Sequence, residues 1–469
     1  MTKAQDLVRV LIAVASVAIL GTGCQTYKSQ AKNMTSAWAM GNTAQAATEF
    51  GKKADKCGKS DLVVWHLEAG AAYRASGDFT NSNSHLDAAA AQIDVFEEQA
   101  KTKVGLETAA IMTDQQNLPY QGRSYDKIML YTYKALNYLA VGEIEKARPE
   151  IIHAYQCQQD AVEENNRRIE KSQEAEQNSK EHAQIEKAKA DPKYAQALDA
   201  GTKDLEGFKV YADYVNPFTV YLDGLYFLYN GTGGSDLERA RKSLSRVQEI
   251  VGSNKLIDAD LQFAESTADG QPPAPWTYVI FETGQVASRD QVRIDIPIIV
   301  TKVSYVGIAF PKLAFHDNHA TELTVKAGEL EEKTVTVANM DSIVALDFRN
   351  EWPTILTKTI ISTTAKAVAD YAANNAAQQS GGTWGRLVVK LATATIAAVV
   401  NIADTRTWTT LPKEFQVARI STPTDRKLVL TTPFAAPVEV ALMDGTINVV
   451  YAKSISASSP ILVSQFKLK

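Results

Sequence analysis

Hydrophobic residues recur at helical spacing over residues 31–250 and alternate with period two beyond residue 276. Between them lies a Pro-rich joint, Asp269-Gly270-Gln271-Pro272-Pro273-Ala274-Pro275-Trp276. A surface helix buries residues three and four apart, whereas a half-buried strand buries every second residue, so one stretch of chain cannot satisfy both patterns. The expected fold class is therefore α+β. It comprises a helical-repeat domain over 24–268 and an antiparallel β-sandwich-like domain over 277–469, with a helix pair inserted at about 351–403. Val292, Ile294, Ile296 and Ile298 share one face of the clearest strand, 291–299. Further strands are expected at 277–282, 303–310, 321–326, 333–339 and 343–348, then at 414–420, 427–431, 437–443, 446–452 and 461–468. Asn350 as N-cap and Pro353 in the first turn predict a helix running to about Asn375. A second, Ala- and Thr-rich helix is expected over 384–403. Its apolar stretch Leu387–Ala403 contains Lys390 and reads as a buried helix, not a membrane span.

Three glycines organise the helical half. Gly41, Gly77 and Gly142 are each followed five residues later by a small residue (Ala46, Ser82, Ala147) and nine residues later by a large apolar one (Phe50, Leu86, Ile151). The glycine turns the chain between two helices, the small residue lets them approach, and the large one fills the space toward the next pair. This pattern resembles the tetratricopeptide repeat, with residues 70–90 the best copy. Ser82 departs from the usual alanine, and Pro149 sits early in a second helix. A looser fourth unit has Gly224, Ala240 and Leu244, with its turn lengthened by Asn230-Gly231-Thr232-Gly233-Gly234. That Gly-rich turn follows a helix and has no adjacent lysine, so it does not read as a phosphate loop. Residues 160–205 are charged, Gln-rich and poor in large apolar residues. They read as an exposed helical projection broken at Asp191-Pro192, or as a solvated insertion without fixed structure.

The amino terminus reads as a leader, residues 1–23. Lys3 and Arg9 precede an apolar run, Val10 to Leu20, and Gly21-Thr22-Gly23 lead into Cys24. The run is shorter than the roughly 20 residues a spanning helix needs. A cysteine directly after small residues is what lipoprotein processing requires, and Cys24 is the expected lipidation site. An ordinary leader is the alternative, because Gly21 stands where an aliphatic residue is usual. Gln25 offers no acidic signal for inner-membrane retention, which favours the outer membrane, facing the periplasm.

Net charge is −5, and removing Lys3, Arg9 and Asp6 with the leader leaves −6, which gives no electrostatic reason to expect nucleic acid as a partner. Cys57 and Cys157 can pair in an oxidising compartment or remain buried thiols, and spacing does not separate the two. His316-Asp317-Asn318-His319 reads as a turn between strands, since no third metal ligand is evident; no metal and no cofactor is expected. No HExxH, GxSxG or GxxxxGK[ST] motif occurs. The densest polar–aromatic cluster is Asp404-Thr405-Arg406-Thr407-Trp408. Arg406 and Trp408 either line a ligand groove or fix a helix-to-strand joint. "NLPYQG" (117–122) reads as a loop closing the repeat stack.

Several separated segments carry a wider resemblance: "NLPYQG" with "YKALNYLAVGEIEKAR" (133–148), "NPFTVYLDGLYF" (216–227), "VIFETGQVASRDQVRIDIPI" (279–298) and "DTRTWTTLPKEFQVARI" (404–420). Together they are similar to an uncharacterised family of predicted Gram-negative lipoproteins with tetratricopeptide-like amino-terminal halves. Gln285-Val286-Ala287-Ser288 departs from that family's pattern. The resemblance implies the lipoprotein reading and the two-half architecture, but carries over no catalytic residue. The expected function is a non-enzymatic outer-membrane lipoprotein. It is held in the membrane by its lipid and recruits an envelope protein partner through the groove of its helical repeats. The alternatives are an enzyme or activator acting on peptidoglycan or envelope glycan, and a structural subunit of an envelope assembly.

Overall fold

Three glycine turns with one geometry build the helical layer. The computed structural model describes residues 27–102, 118–178, 182–208, 211, 215–267, 273–296, 306–380 and 403–469. Cys24, the leader and most of the expected helix at 384–403 lie outside these. The helix pairs are α1 (Tyr27–Ala39) with α2 (Thr43–Ala54), α3 (Leu62–Ala75) with α4 (Phe79–Thr102), and α5 (Ser124–Ala140) with α6 (Ile144–Gln177). Between them Gly41, Gly77 and Gly142 have φ of +80°, +83° and +78°. Each ends its helix the same way. The N–H of the next residue reaches back to Ala37, Tyr73 or Tyr138, and the glycine N–H to Trp38, Arg74 or Leu139. Only glycine adopts this left-handed position without a Cβ clash. Ala46, Ser82 and Ala147 are fully buried, as are Phe50, Leu86 and, nearly so, Ile151. Ser82 replaces alanine for a reason: its hydroxyl donates to the Gly70 carbonyl (2.7 Å) and accepts from Asn137 (2.8 Å). Pro149 is accommodated inside α6, which continues to Gln177.

The segment α7 (His182–Lys189), α8 (Pro192–Thr202) and a 3₁₀ turn (Lys203–Leu205) follows, then α9 (Pro217–Asn230) with α10 (Gly234–Val251), and α11 (Lys255–Thr267). The break at Asp191-Pro192 is where expected, but 160–205 does not project freely. Ser172 and Glu176 are buried, Gly201 lies directly against the Trp352 ring, and Asp204 pairs with Lys312 (2.9 Å). The segment packs along the long helix of the second half and its first hairpin. Charge and a lack of large side chains had suggested a solvated element, yet small residues such as Gly201 serve as a flat seat for a neighbour's tryptophan.

The strands are β1 (Trp276–Thr283), β2 (Ser288–Ile296), β3 (Val306–Ala314), β4 (Thr324–Ala327), β5 (Leu330–Lys333), β6 (Val335–Asn339), β7 (Glu414–Ser421), β8 (Lys427–Thr431), β9 (Val438–Ala441), β10 (Ile447–Ser454) and β11 (Leu462–Lys467). A central sheet runs β11-β10-β1-β7-β6, a second runs β5-β4-β8-β9, and β2 pairs with β3. Described pairings are antiparallel except one: β1 lies parallel to β10, a departure from the wholly antiparallel expectation. The expected strand at 343–348 is instead part of α12 (Met340–Ser380), whose start is capped by Asn339 accepting from the Ser342 N–H (2.9 Å). Ile343–Phe348 is apolar almost throughout and buried on all sides, and period alone cannot tell such a run from a buried strand. Asn350 and Pro353 therefore lie within the helix.

Alternation along the central sheet divides two cores. Val279, Phe281, Ala418, Ile420, Val450 and Ala452 meet Val325, Leu428, Leu430 and Val440 of the second sheet. Tyr278, Ile280, Phe415, Val417, Val449 and Tyr451 point the other way, into the core formed with the helices. The helical and β-rich segments therefore share one continuous core. Both faces of the central sheet are covered, one by the second sheet and the other by the helices of 24–268.

Candidate functional site

The first helix of each pair supplies the seam against the sheet. From α1, Trp38 meets the Lys453 ammonium (5.0 Å to the ring), and from α9, Phe218 stacks on Phe415 (4.0 Å between centroids). From α3, Glu68 is wholly buried. It accepts from the Tyr27 hydroxyl (2.5 Å), the Thr409 N–H and hydroxyl (2.7 Å each) and the Thr410 N–H (3.0 Å). Burial pushes its carboxyl above the usual range against the pull of those donors. At the far end Asp260 accepts from Tyr221 (2.6 Å), Tyr278 (2.9 Å) and Arg419. Buried acceptors satisfied in this way hold one geometry, because losing a donor strands a desolvated group.

Arg406 and Trp408 belong to this seam. The Arg406 guanidinium is 2% exposed and clamps Asp404 through Nε (2.8 Å), with further bonds to Asp61 (2.9 Å) and the Ser60 carbonyl (3.2 Å). Trp408 is fully buried, donates to Thr410 (2.8 Å) and sits edge-on to Tyr133. Neither lines a groove, since each is enclosed by its own bonding partners. The described part of "NLPYQG" closes the same corner: Tyr120 donates its N–H to Ser60 (2.8 Å), and its ring lies beside Arg406.

Cys57 and Cys157 are free thiols, not a disulfide. Burial pushes both up, Cys157 to about 12. His316 bonds Ser288 (3.0 Å) and His319 bonds the Asp317 carbonyl within its own turn, so the two rings have separate partners. The Gly-rich turn is filled by Asp236, which accepts from the Thr232 N–H (2.9 Å) and pairs with Arg148. Glu176, His182 and Glu186 bring potential ligand atoms within 4.8 Å of one another, but the Lys189 ammonium already pairs with Glu176. Among the described residues no helix is long and apolar enough to cross a membrane.

A cleft between α3 and the sheet edge was not foreseen. Ala71, Arg74, Ala75 and Gly77 form one wall; Glu282, Tyr451, Lys453, Leu462, Val463 and Ser464 form the other. The cleft has a volume of about 50 Å³. Glu282 accepts from the Tyr451 hydroxyl and the Lys453 ammonium. Burial opposes its charge, but Lys453 and Arg74 together hold its carboxyl below the usual range. Arg74 donates to Asn137 (2.8 Å), and its guanidinium lies over the rings of Tyr451 (4.5 Å), Tyr133 (5.3 Å) and Phe79 (5.9 Å). These residues are far apart in sequence and belong to no motif; the one local signal is Glu282 and Lys453, charged residues inside otherwise apolar strand runs.

No family model, no curated protein and no solved structure matches this chain.

Proposed function

We propose that this chain is a lipid-anchored protein of the outer membrane, held through Cys24, facing the periplasm and acting as a scaffold that recruits an envelope protein. The leader and Cys24 support the anchor. The observation that carries the scaffold reading is the division of labour within each helix pair. The first helices α3, α5 and α9 are buried almost along their whole length, while the second helices α2, α4, α6 and α10 each turn a polar face outward. The glycine turns, the small residues and this repeated helix pairing support a tetratricopeptide-like reading of the layer. The sheet covers the face that a free repeat stack offers to peptides, so recognition falls to the outer helices. There Val95 of α4 and Ile152 of α6 are exposed. Between those helices, Lys127 pairs with Glu97 and Glu164, and Lys134 with Asp87 and Glu150. A rigid apolar–acidic surface of this kind suits a protein partner carrying basic and apolar residues.

The experiment places a photo-crosslinking residue at Val95, Ile152 or Met443 in cells, beside a Cys24→Ser form. The reading expects one discrete adduct from Val95 and Ile152 and none from Met443, with Cys24→Ser leaving the membrane fraction. Adducts from Met443 alone overturn the assignment to the outer helices, and unchanged membrane partitioning of Cys24→Ser overturns the anchor.

A further inference from the structure

We infer that the cleft between α3 and the β10–β11 edge is a binding site for one small oxyanion, the carboxylate or phosphate monoanion class. Three ionised side chains meet there: Arg74, Lys453 and Glu282, each less than one-tenth exposed. Lys453 and Glu282 pair with each other. Among the described residues no carboxylate lies within 4.0 Å of the Arg74 guanidinium, so the group holds one positive charge in excess. A buried charge without a counter-ion is costly, and folded proteins pair such groups or neutralise them. An arginine keeps its proton, so the excess is relieved either by Lys453, whose pKa burial and the Arg74 charge lower, giving up its proton, or by an anion in the cleft that keeps all three groups charged.

The surroundings of Arg74 lower that cost in part. The Asn137 oxygen accepts one N–H, and three aromatic faces lie against the guanidinium. Rings supply a quadrupole and not a negative charge, so they lower the cost without cancelling it. They hold the guanidinium plane in place while the cleft opens beside it. This is how a pre-set anion site is made: the donor is fixed before the ligand arrives, and its fork matches the two oxygens of a carboxylate or phosphate.

Size limits the ligand. At roughly 10–15 Å³ per water, a volume of about 50 Å³ holds about three to five waters or one oxyanion head group. The walls agree with a ligand that is charged at one end only. Ala71, Ala75 and Leu462 are apolar, and Ser464 adds a hydroxyl. Pairing of Ser464 with Tyr451 and of Leu462 with Lys453 in the β10–β11 ladder puts both residues on the face that carries the charges.

The test uses the whole mature chain and measures thermal unfolding in inorganic phosphate and in acetate, each against chloride at matched ionic strength. A ligand that binds only the folded state raises Tm with concentration until the site fills. The wild type is expected to show a saturating rise with at least one of the two oxyanions. Phosphate alone would assign a phosphate group, and both would assign a carboxylate-tolerant site. Ser464→Glu supplies a carboxylate from the edge strand. It is expected to raise Tm in chloride and to abolish the oxyanion response. Arg74→Gln removes the excess charge and is expected to abolish the response as well; if that form does not fold, Ser464→Glu still decides. A wild type indifferent to both oxyanions overturns the proposal, as does an undiminished response in Ser464→Glu.

Discussion

At the scale of single residues, buried acceptors do more than exposed charges to hold this molecule in one shape. Glu68 receives four donors contributed by Tyr27, Thr409 and Thr410. Glu68→Ala strands those donors away from water and is expected to cost about 3 kcal/mol or more, read as a lowered urea midpoint with an unchanged slope. Glu68→Gln keeps the shape and half the acceptors and should cost about half as much. Only part of this was legible in the sequence. The cluster around Arg406 and Trp408 stands out because its members are neighbours in the chain, and its role in fixing a joint was one of two readings. Glu68 gave no signal, because its partner Thr409 lies 341 residues away. A lone glutamate in an apolar helix says only that something must satisfy it, not what.

At the scale of elements, turns were the most legible and buried helices the least. Gly41, Gly77 and Gly142 sit where a helix must end in a left-handed residue, and that constraint is local. Strands on either side of α12 were also readable, since most alternate. The start of α12 was not, because Ile343–Phe348 is enclosed on every side and shows no period. The segment 160–205 misled for the opposite reason. Its polarity suggested solvent, while its packing rests on Gly201 beneath Trp352 and on Ser172 and Glu176. Replacing 160–205 by a short flexible linker changes loop closure by only about 0.6 kcal/mol per doubling of length. Uncovering Trp352 and one side of α12 costs more than that. The deletion protein is expected to unfold several degrees below wild type in calorimetry; an unchanged Tm would mean that the segment contributes nothing to the core.

At the scale of the whole molecule, the core shared across the central sheet predicts that the two halves unfold as one cooperative unit. A fragment spanning 277–469 would expose Tyr278, Ile280, Phe415, Val417, Val449 and Tyr451 to water, along with Glu282. Burial of each large apolar side chain is worth roughly 1.5–3 kcal/mol, so the six together are worth about as much as the 5–15 kcal/mol by which a domain is ordinarily stable. The fragment is expected to be insoluble or to melt without a cooperative transition, and the full chain to unfold in a single calorimetric step. A soluble fragment with its own sharp transition would show that the second sheet alone suffices.

The parallel pairing of β1 with β10 also dictates an order of events. β1 follows the helices directly, yet its two neighbours are β7 and β10, supplied by residues 414–421 and 447–454. A chain emerging from its amino terminus completes every helix pair before either neighbour of β1 exists. During that interval the aromatic faces of α3, α5 and α9 have no cover, and non-local closure of this kind is slow and aggregation-prone. Loss of the final thirty or so residues, which carry β10 and β11, would therefore leave one side of β1 and the aromatic faces of the helices without the strands that cover them, however completely the helices had formed.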